Sequence, residues 1–437
     1  MVKVNKCCSV VLMLLVAGIA NAQDSVLAWV KKNSRSVDMQ QQPAFVKAMQ
    51  PVLKKMAGYS VVGLGEGTHG TSEFQTVRTY ISQYLAEKEG FNIICLENSF
   101  GWCVELNDYV QTGKGNLDTL MRKNMLGMWQ NEEIKALLQW MKDYNATHTS
   151  KLQLAGMDYS ETNIPAALIK ELTARFQDAV LDSLTDQLVA CSRLMDDAYA
   201  AFNLPQSPYK WNDVLQNGVK AYEAIITLKE RLKTNSKEKE VLSVKESALL
   251  NGSLLNSELA FYSIYKPVKE KQEASRDESM AKMVRQIQQV NPGSKVLVWA
   301  HNAHIAKGSI FPDDSNGGGS GMYLEKYFPG QYFAVATATD TGTISATKDR
   351  FILSTSRMTS YPLPAADIDS WEKVFMNVST NPIYIDLGDK TTQLPAKPFR
   401  FTGYGVPGKK SFIPEKLPAL FDGLIFIPQT QATHMQQ

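Results

Sequence analysis

The stretch from Tyr59 to Phe74, YSVVGLGEGTHGTSEF, constrains the fold more than any other part of the chain. An apolar run breaks on glycines, and polar residues follow at once. Val61 and Val62 read as a buried strand, and Gly63, Gly65, Gly67 and Gly70 as a tight turn into a helix. Between the glycines lie Glu66, Thr68 and His69, with Ser72 and Glu73 just inside the helix. A carboxylate and an imidazole three residues apart, at the carboxyl end of a strand, stand where open α/β sheets hold their ligands.

The pattern recurs downstream. Residues 24–57 read as helical, with Phe45, Met49, Val52 and Met56 on one face, and residues 71–89 as a second helix. Phe91 to Leu96 is another continuous apolar run, and it ends on Glu97. Strand, helix, strand with buried-type strands is a βαβ unit, so both strands run parallel and share a carboxyl edge. Helical stretches near 101–111 and 131–145 lead to Leu152–Asp158, a strand closed by an acid. Residues 160–290 read as mostly helical, a subdomain inserted into the sheet, whose charged run Lys229–Lys245 reads as a solvated face. Lys295–Ala300 is then the clearest strand of the second half and runs straight into His301 and His304.

These readings predict an α/β fold, a central, mostly parallel sheet flanked by helices. Such a sheet would bring Glu66, His69, Glu97, Asp158 and His301, each closing an apolar strand run, to one edge. Past residue 340, 381–386 and 423–428 read as short strands, and 361–364 and 395–398 as loops. The glycine run 317–321 reads as a flexible loop on the same edge, either a lid or an ordinary connection.

A histidine steadied by a carboxylate makes a general base for water, and a second histidine would donate a proton or steady an oxyanion. No Gly-x-Ser-x-Gly elbow occurs, which disfavours a serine nucleophile. The glycine turn lacks the lysine of a phosphate loop and the spacing of a dinucleotide site, so neither cofactor is implied. His301 and His304, three apart, would both face one metal ion if Glu66 or Glu97 completed the shell. That metal-dependent hydrolase is the second reading. A non-catalytic periplasmic protein binding a bulky ligand or glycan is the third.

At 437 residues, 44% of them hydrophobic, the chain buries a large core as one domain or two. Met1–Ala22 has a basic start, a short apolar run and a small-x-small end, the pattern of a secretory signal peptide. The mature protein is then expected from Gln23, exported to the periplasm or beyond, without an integral membrane span. Removing the leader takes Lys3 and Lys6 from a formal charge of +2 and leaves a neutral chain, which argues against nucleic acid or an anionic membrane as partner. Cys95, Cys103 and Cys191 have no framework spacing and read as buried free thiols. Oligomeric state is not set by these features.

Gly65–Gly70, followed by Ser72-Glu73-Phe74, Arg78, Glu97-Asn98, Trp129–Glu132, Gly156-Met-Asp158 and Trp299–His304, resembles the erythromycin esterase family over roughly residues 58–340. The resemblance implies an α/β core with a helical subdomain that opens a macrolide lactone, the activity of antibiotic-resistance esterases, by water attack without an acyl-enzyme and without a metal. It also implies His69 as the base, Glu66 as its neighbouring carboxylate, and Arg78 and Glu97 as polar residues of the cleft. His301 would be the acid or oxyanion stabiliser, with His304 lining the same place. Glu73 and Asp158 join the expected substrate-binding residues. A small-molecule ester or lactone is the implied partner.

Overall fold

The computed structural model describes residues 24–234, 241–310, 318–391, 393–408 and 411–436. The expected leader, Gly317 of the glycine run and residues 235–240 of the charged run lie outside them. The strands are β1 (Ser34–Ser36), β2 (Val61–Glu66), β3 (Phe91–Ser99), β4 (Gln153–Asp158), β5 (Lys295–His301), β6 (Tyr332–Ala346), β7 (Thr359–Leu363), β8 (Ile383–Asp386), β9 (Lys397–Arg400), β10 (Phe412–Glu415) and β11 (Gly423–Thr430). Nine of these form one sheet in the order β1-β8-β11-β6-β2-β5-β3-β4, with β7 beside β6. The six strands from β11 to β4 run parallel, while β1, β8 and β7 pair antiparallel.

Side-chain alternation covers both faces. Val62, Leu64, Ile94, Leu96, Leu297 and Trp299 meet the helices Gln42–Met56, Ser72–Glu89, Phe100–Thr112 and Glu132–Thr147. Val61, Ile93, Cys95, Val296, Val298 and Ala300 point the other way, toward the helices Arg276–Val290, Ser320–Tyr327 and Trp371–Val378. Successive residues of one strand thus serve opposite layers, which explains the unbroken apolar runs. Between β4 and β5 the helices Asn163–Thr173, Ala179–Ala200, Trp211–Lys233 and Val244–Tyr265 close around a core of their own that includes Ile169, Leu188, Ile225 and Phe261. Among the described residues, no helix is long and apolar enough to cross a membrane. Cys95, Cys103 and Cys191 are buried free thiols.

Several local expectations change. The helical run expected over 24–57 is interrupted by β1, which hydrogen-bonds β8 at the sheet's margin. The loops expected at 361–364 and 395–398 include strand residues. Pro362 sits in β7, at the end of a pairing with β6, and Pro398 in the two-stranded β9–β10 ribbon, edge positions where a missing N–H is tolerated. None of Gly63, Gly65, Gly67 and Gly70 has a positive φ. They serve close approach rather than a left-handed turn. A Cβ on Gly65 would collide with the Asn302 side chain, and one on Gly70 with the Ser345 backbone. The glycine run behaves likewise: Gly319 and Gly321 pack against the carbonyls of Ala303 and Ile305.

Gly70→Ala, which drives a methyl into backbone that cannot move aside, is expected to cost about 1–3 kcal/mol. A chemical denaturation midpoint that falls at constant slope is the corresponding measurement.

Candidate active site

Parallel register does the assembly. Glu66, the last residue of β2, lies directly opposite His301, the last of β5. On the other side of β5, β3 pairs up to Leu96 against Trp299, so Glu97 projects from the same edge, and Asp158 at the end of β4 pairs with Ser99. Asn302 ties this edge to β6: its Nδ2 donates to the Thr337 carbonyl at 2.7 Å and its Oδ1 accepts from the Thr337 N–H at 3.2 Å.

The turn after Glu66 is held by main-chain and hydroxyl partners from far downstream. Gly67 N–H donates to Thr337 Oγ1 at 3.0 Å, and the Gly67 carbonyl accepts from Thr402 N–H at 3.2 Å. Gly70 O accepts from Ser345 N–H at 2.9 Å and from Thr433 N–H at 3.0 Å. His69 is thereby fixed at 5% exposure with Nδ1 2.7 Å from Glu66 Oε1. Since a carboxylate only accepts, Nδ1 carries a proton, and in the neutral ring Nε2 then presents its lone pair. Glu66 Oε2 in turn accepts from Arg78 Nη2 at 2.6 Å and Gln75 Nε2 at 3.0 Å. Arg78 is 1% exposed, with its guanidinium 4.4 Å from the Trp299 ring and 5.4 Å from the Trp129 ring. Burial lowers its pKa against the pull of Glu66 and Glu97. Arg78 therefore lies beneath the site rather than in the cleft.

The other two histidines are in opposite states. His301 Nδ1 accepts from the Ala303 N–H at 3.3 Å, which places the ring proton on Nε2, a buried nitrogen with no side-chain partner among the described residues and with the Gly67 backbone near it. Burial, reinforced by His69 and His304, pushes the His301 pKa down to about 3, so the ring is neutral. His304 is held by a carboxylate at each nitrogen, Asp277 Oδ1 at 2.7 Å from Nδ1 and Glu97 Oε1 at 3.2 Å from Nε2. Two acceptors require two N–H groups. Burial alone would depress this ring, but Asp277 and Glu97 overcome it and raise the pKa to about 10. Glu97 also accepts the His301 backbone N–H at 2.9 Å through Oε2. Burial would raise its carboxyl, yet His304, then His69 and Arg276, hold it well below the usual range.

Arg276, from the first turn of its helix, donates to Asp158 Oδ2 at 2.7 Å and to Glu97 Oε1 at 3.4 Å, and its Nη1 stands 3.4 Å from His304 Nε2. Asp277 Oδ1 is further fixed by the Ser320 N–H and hydroxyl, both at 2.7 Å. The rings of His69 and His301 are 5.1 Å apart, with Trp129 6.1 Å from His69 and Phe401 6.3 Å from His301. The edge thus offers a hydrogen-bonded base, a neutral N–H donor beside it, and a cation pair, Arg276 and His304, balanced by acids.

Of the residues singled out by sequence, Glu66, His69, Glu97, Asp158, His301 and His304 come together here. Glu73 does not: its Oε2 accepts from the Gln431 N–H at 2.9 Å. The pair of metal ligands that the second reading would make of His301 and His304 is not formed either. Their rings are 6.4 Å apart at 70°, and both nitrogens of His304 are engaged with carboxylates. Among the described residues, no group of three or more His, Cys, Asp or Glu side chains has a ligating arrangement. Sequence reasoning missed Gln75, Arg276, Asp277 and Ser320. A signal for two of them exists, since Ser275 caps the helix by accepting from the Glu278 N–H at 3.1 Å, and Ser-x-x-Glu marks a helix start.

The family model described as erythromycin esterase matches residues 86–430, a span that includes Glu97, Asp158, Arg276, His301 and His304. Erythromycin esterase type I of Escherichia coli is 26% identical over 266 residues, covering 57% of this chain and 63% of its own length. Among solved structures, a succinoglycan biosynthesis protein superposes with a TM-score of 0.76 at 20% identity, covering 95% of this chain and 99% of that one. A mutant of the erythromycin esterase EreC in its open conformation superposes with a TM-score of 0.72 at 19% identity, covering 91% of this chain and 98% of that one. Both structures share the fold.

The two perturbed histidines make stability depend on pH in opposite directions. An unfolded imidazole titrates near about 6.5. His301, depressed to about 3, contributes stability above the unfolded value that is lost as pH falls toward 3. His304, raised to about 10, contributes stability present in full below the unfolded value and lost as pH rises toward 10. Denaturation across this range should show an alkaline decline that Asp277→Asn flattens; an unchanged alkaline limb in that variant would contradict the assignment of His304 as an imidazolium.

Proposed function

The chain belongs to the erythromycin esterase family, and from that membership and the geometry of the strand edge we propose that it is an exported hydrolase of an ester or macrolactone. His69 activates water directly, and no covalent intermediate forms. The observation that carries this reading is the complementary pair of ring nitrogens. His69 Nδ1 is tied to Glu66, leaving Nε2 to accept a proton, while the neighbouring His301 offers a buried Nε2–H that no side chain engages.

The chemistry balances without a further group. His69 Nε2 removes a proton from water as the water oxygen bonds to the acyl carbon, and the carbonyl π pair moves onto oxygen. Glu66 steadies the imidazolium that results. The His301 Nε2–H donates to the oxyanion, a donor already desolvated and needing no reorganisation. Collapse breaks the bond to the alkoxide, which takes the proton back from His69 and leaves as an alcohol. Arg276 and His304 supply fixed positive charge at the same edge, compensated by Glu97, Asp158 and Asp277. Export rests on the leader pattern of Met1–Ala22.

The test compares wild type, purified from Gln23 onward, with His69→Ala and His301→Ala on a panel of macrolactones and aryl esters, with and without a chelator. Loss of the base is expected to lower kcat by about 10²–10⁴-fold. Loss of the oxyanion donor is expected to lower it by about 10²–10³-fold. A rate undiminished in His69→Ala overturns the mechanism, and sensitivity to the chelator moves it to a metal-dependent one.

A further inference from the structure

The segment 431–436, beyond the last strand of the sheet, crosses the site from behind. On one side it meets the turn that carries His69. Thr433 N–H donates to Gly70 O at 3.0 Å, Thr71 and Ala432 form an isolated antiparallel bridge, and Ser72 N–H donates to Gln431 O at 2.9 Å. On the other side it meets the segment carrying Trp129. Glu132 N–H donates to His434 O at 2.8 Å, Gln436 N–H donates to Gln130 O at 3.1 Å, and Asn131 bridges to Met435. Glu133 anchors the crossing by accepting from the His434 ring at 2.8 Å and from the Ser72 hydroxyl at 2.5 Å. The two segments it joins flank one imidazole: Gly70 follows His69 directly, and the Trp129 ring stands against it.

We propose that residues 431–436 form a strap that orients His69, with Thr433 a positioning residue acting through the carbonyl of Gly70. This rests on the reading of His69 as the base. Most of the strap's contacts are main-chain, and it engages the turn and the Trp129 segment together, so its loosening frees both walls of the imidazole without opening the sheet. Ser345 shares the load, donating its N–H to Gly70 O at 2.9 Å and its hydroxyl to Thr433 O at 3.1 Å. The turn therefore retains one main-chain donor when Thr433 gives up its own, which makes orientation, rather than folding, the property at stake.

Thr433→Pro deletes that single N–H, and Thr433→Ala keeps it. Each full chain is compared with wild type by thermal melting, by the ¹⁵N ring resonances of His69 without substrate, and by kcat and KM on an ester the wild type cleaves. In the proline variant the His69 resonances should move and kcat fall by about 10–100-fold, the scale of a misplacement near 1 Å, with KM held within about twofold because uniform binding is untouched. The alanine variant should match wild type in all three. If the proline variant does not fold, Glu133→Ala, which frees the strap's exposed end, is read by the same measurements and should move the same resonances. Unshifted His69 resonances in the folded variants overturn the proposal, as does a loss of kcat, KM and melting temperature together that Thr433→Ala reproduces. The resonances are read without turnover, so a wild type that cleaves no ester refutes the hydrolase reading while the strap is still decided.

Discussion

A carboxylate taken out of water persists as an anion only if donors surround it, and the buried Glu66 side chain is where this structure meets that demand. Three groups answer it: His69, Gln75 and Arg78. Each answer places a further requirement on the fold. Arg78 is itself buried and takes up the faces of Trp129 and Trp299, which ties the helix after the turn to both the neighbouring strand and the segment that walls the site. His69 is committed to one ring orientation, and the backbone around it must approach Ser345 and Thr337 closely enough that only glycine fits. The glycines, the two tryptophans and the arginine form one arrangement because one charge is buried at its centre.

The same economy of charge explains why three histidines within a few ångströms do not share a role. A ring tied to a main-chain N–H and otherwise desolvated stays neutral, as His301 does; a ring between two carboxylates becomes a cation, as His304 does. Glu97 separates the two states, one oxygen toward the His301 main chain and the other toward the His304 ring. Arg276 and Asp158 extend the alternation of sign, so the edge is strongly polar while its charges remain largely compensated.

Much of this was legible in the residues. Runs such as Ile93–Leu96 and Val296–Ala300 carry their burial on every residue, which is the mark of a parallel strand covered on both faces, and the polar residue that ends each run marks the shared edge. Glu66, Glu97, Asp158 and His301 follow from that logic alone. Residues that reach the site from helices do not announce themselves in this way. Arg276 and Asp277 sit in a long helical region whose internal starts are set by single capping residues, and Gln75 is one polar position among several on an amphipathic helix. Glu73 illustrates the converse: adjacency in sequence to a site residue says little once a helix turns the next side chain by 100°. Tyr361–Pro364 and Pro395–Pro398 read as loops because proline argues against a central strand, and it was the edge position that changed the outcome.

The turn that presents His69 is not a local structure. Its carbonyls and N–H groups are answered by Thr337, Ser345, Thr402 and Thr433, and the contact between Glu73 and Gln431 spans 358 residues of chain. Closing loops of that length is costly in chain entropy and slow, whereas the strand and helix on either side of the turn need only neighbours in sequence. The imidazole's surroundings are therefore among the late products of folding: a nascent chain carries Glu66 and His69 long before it carries the partners that hold them, and the turn takes its final shape with closure of the whole domain.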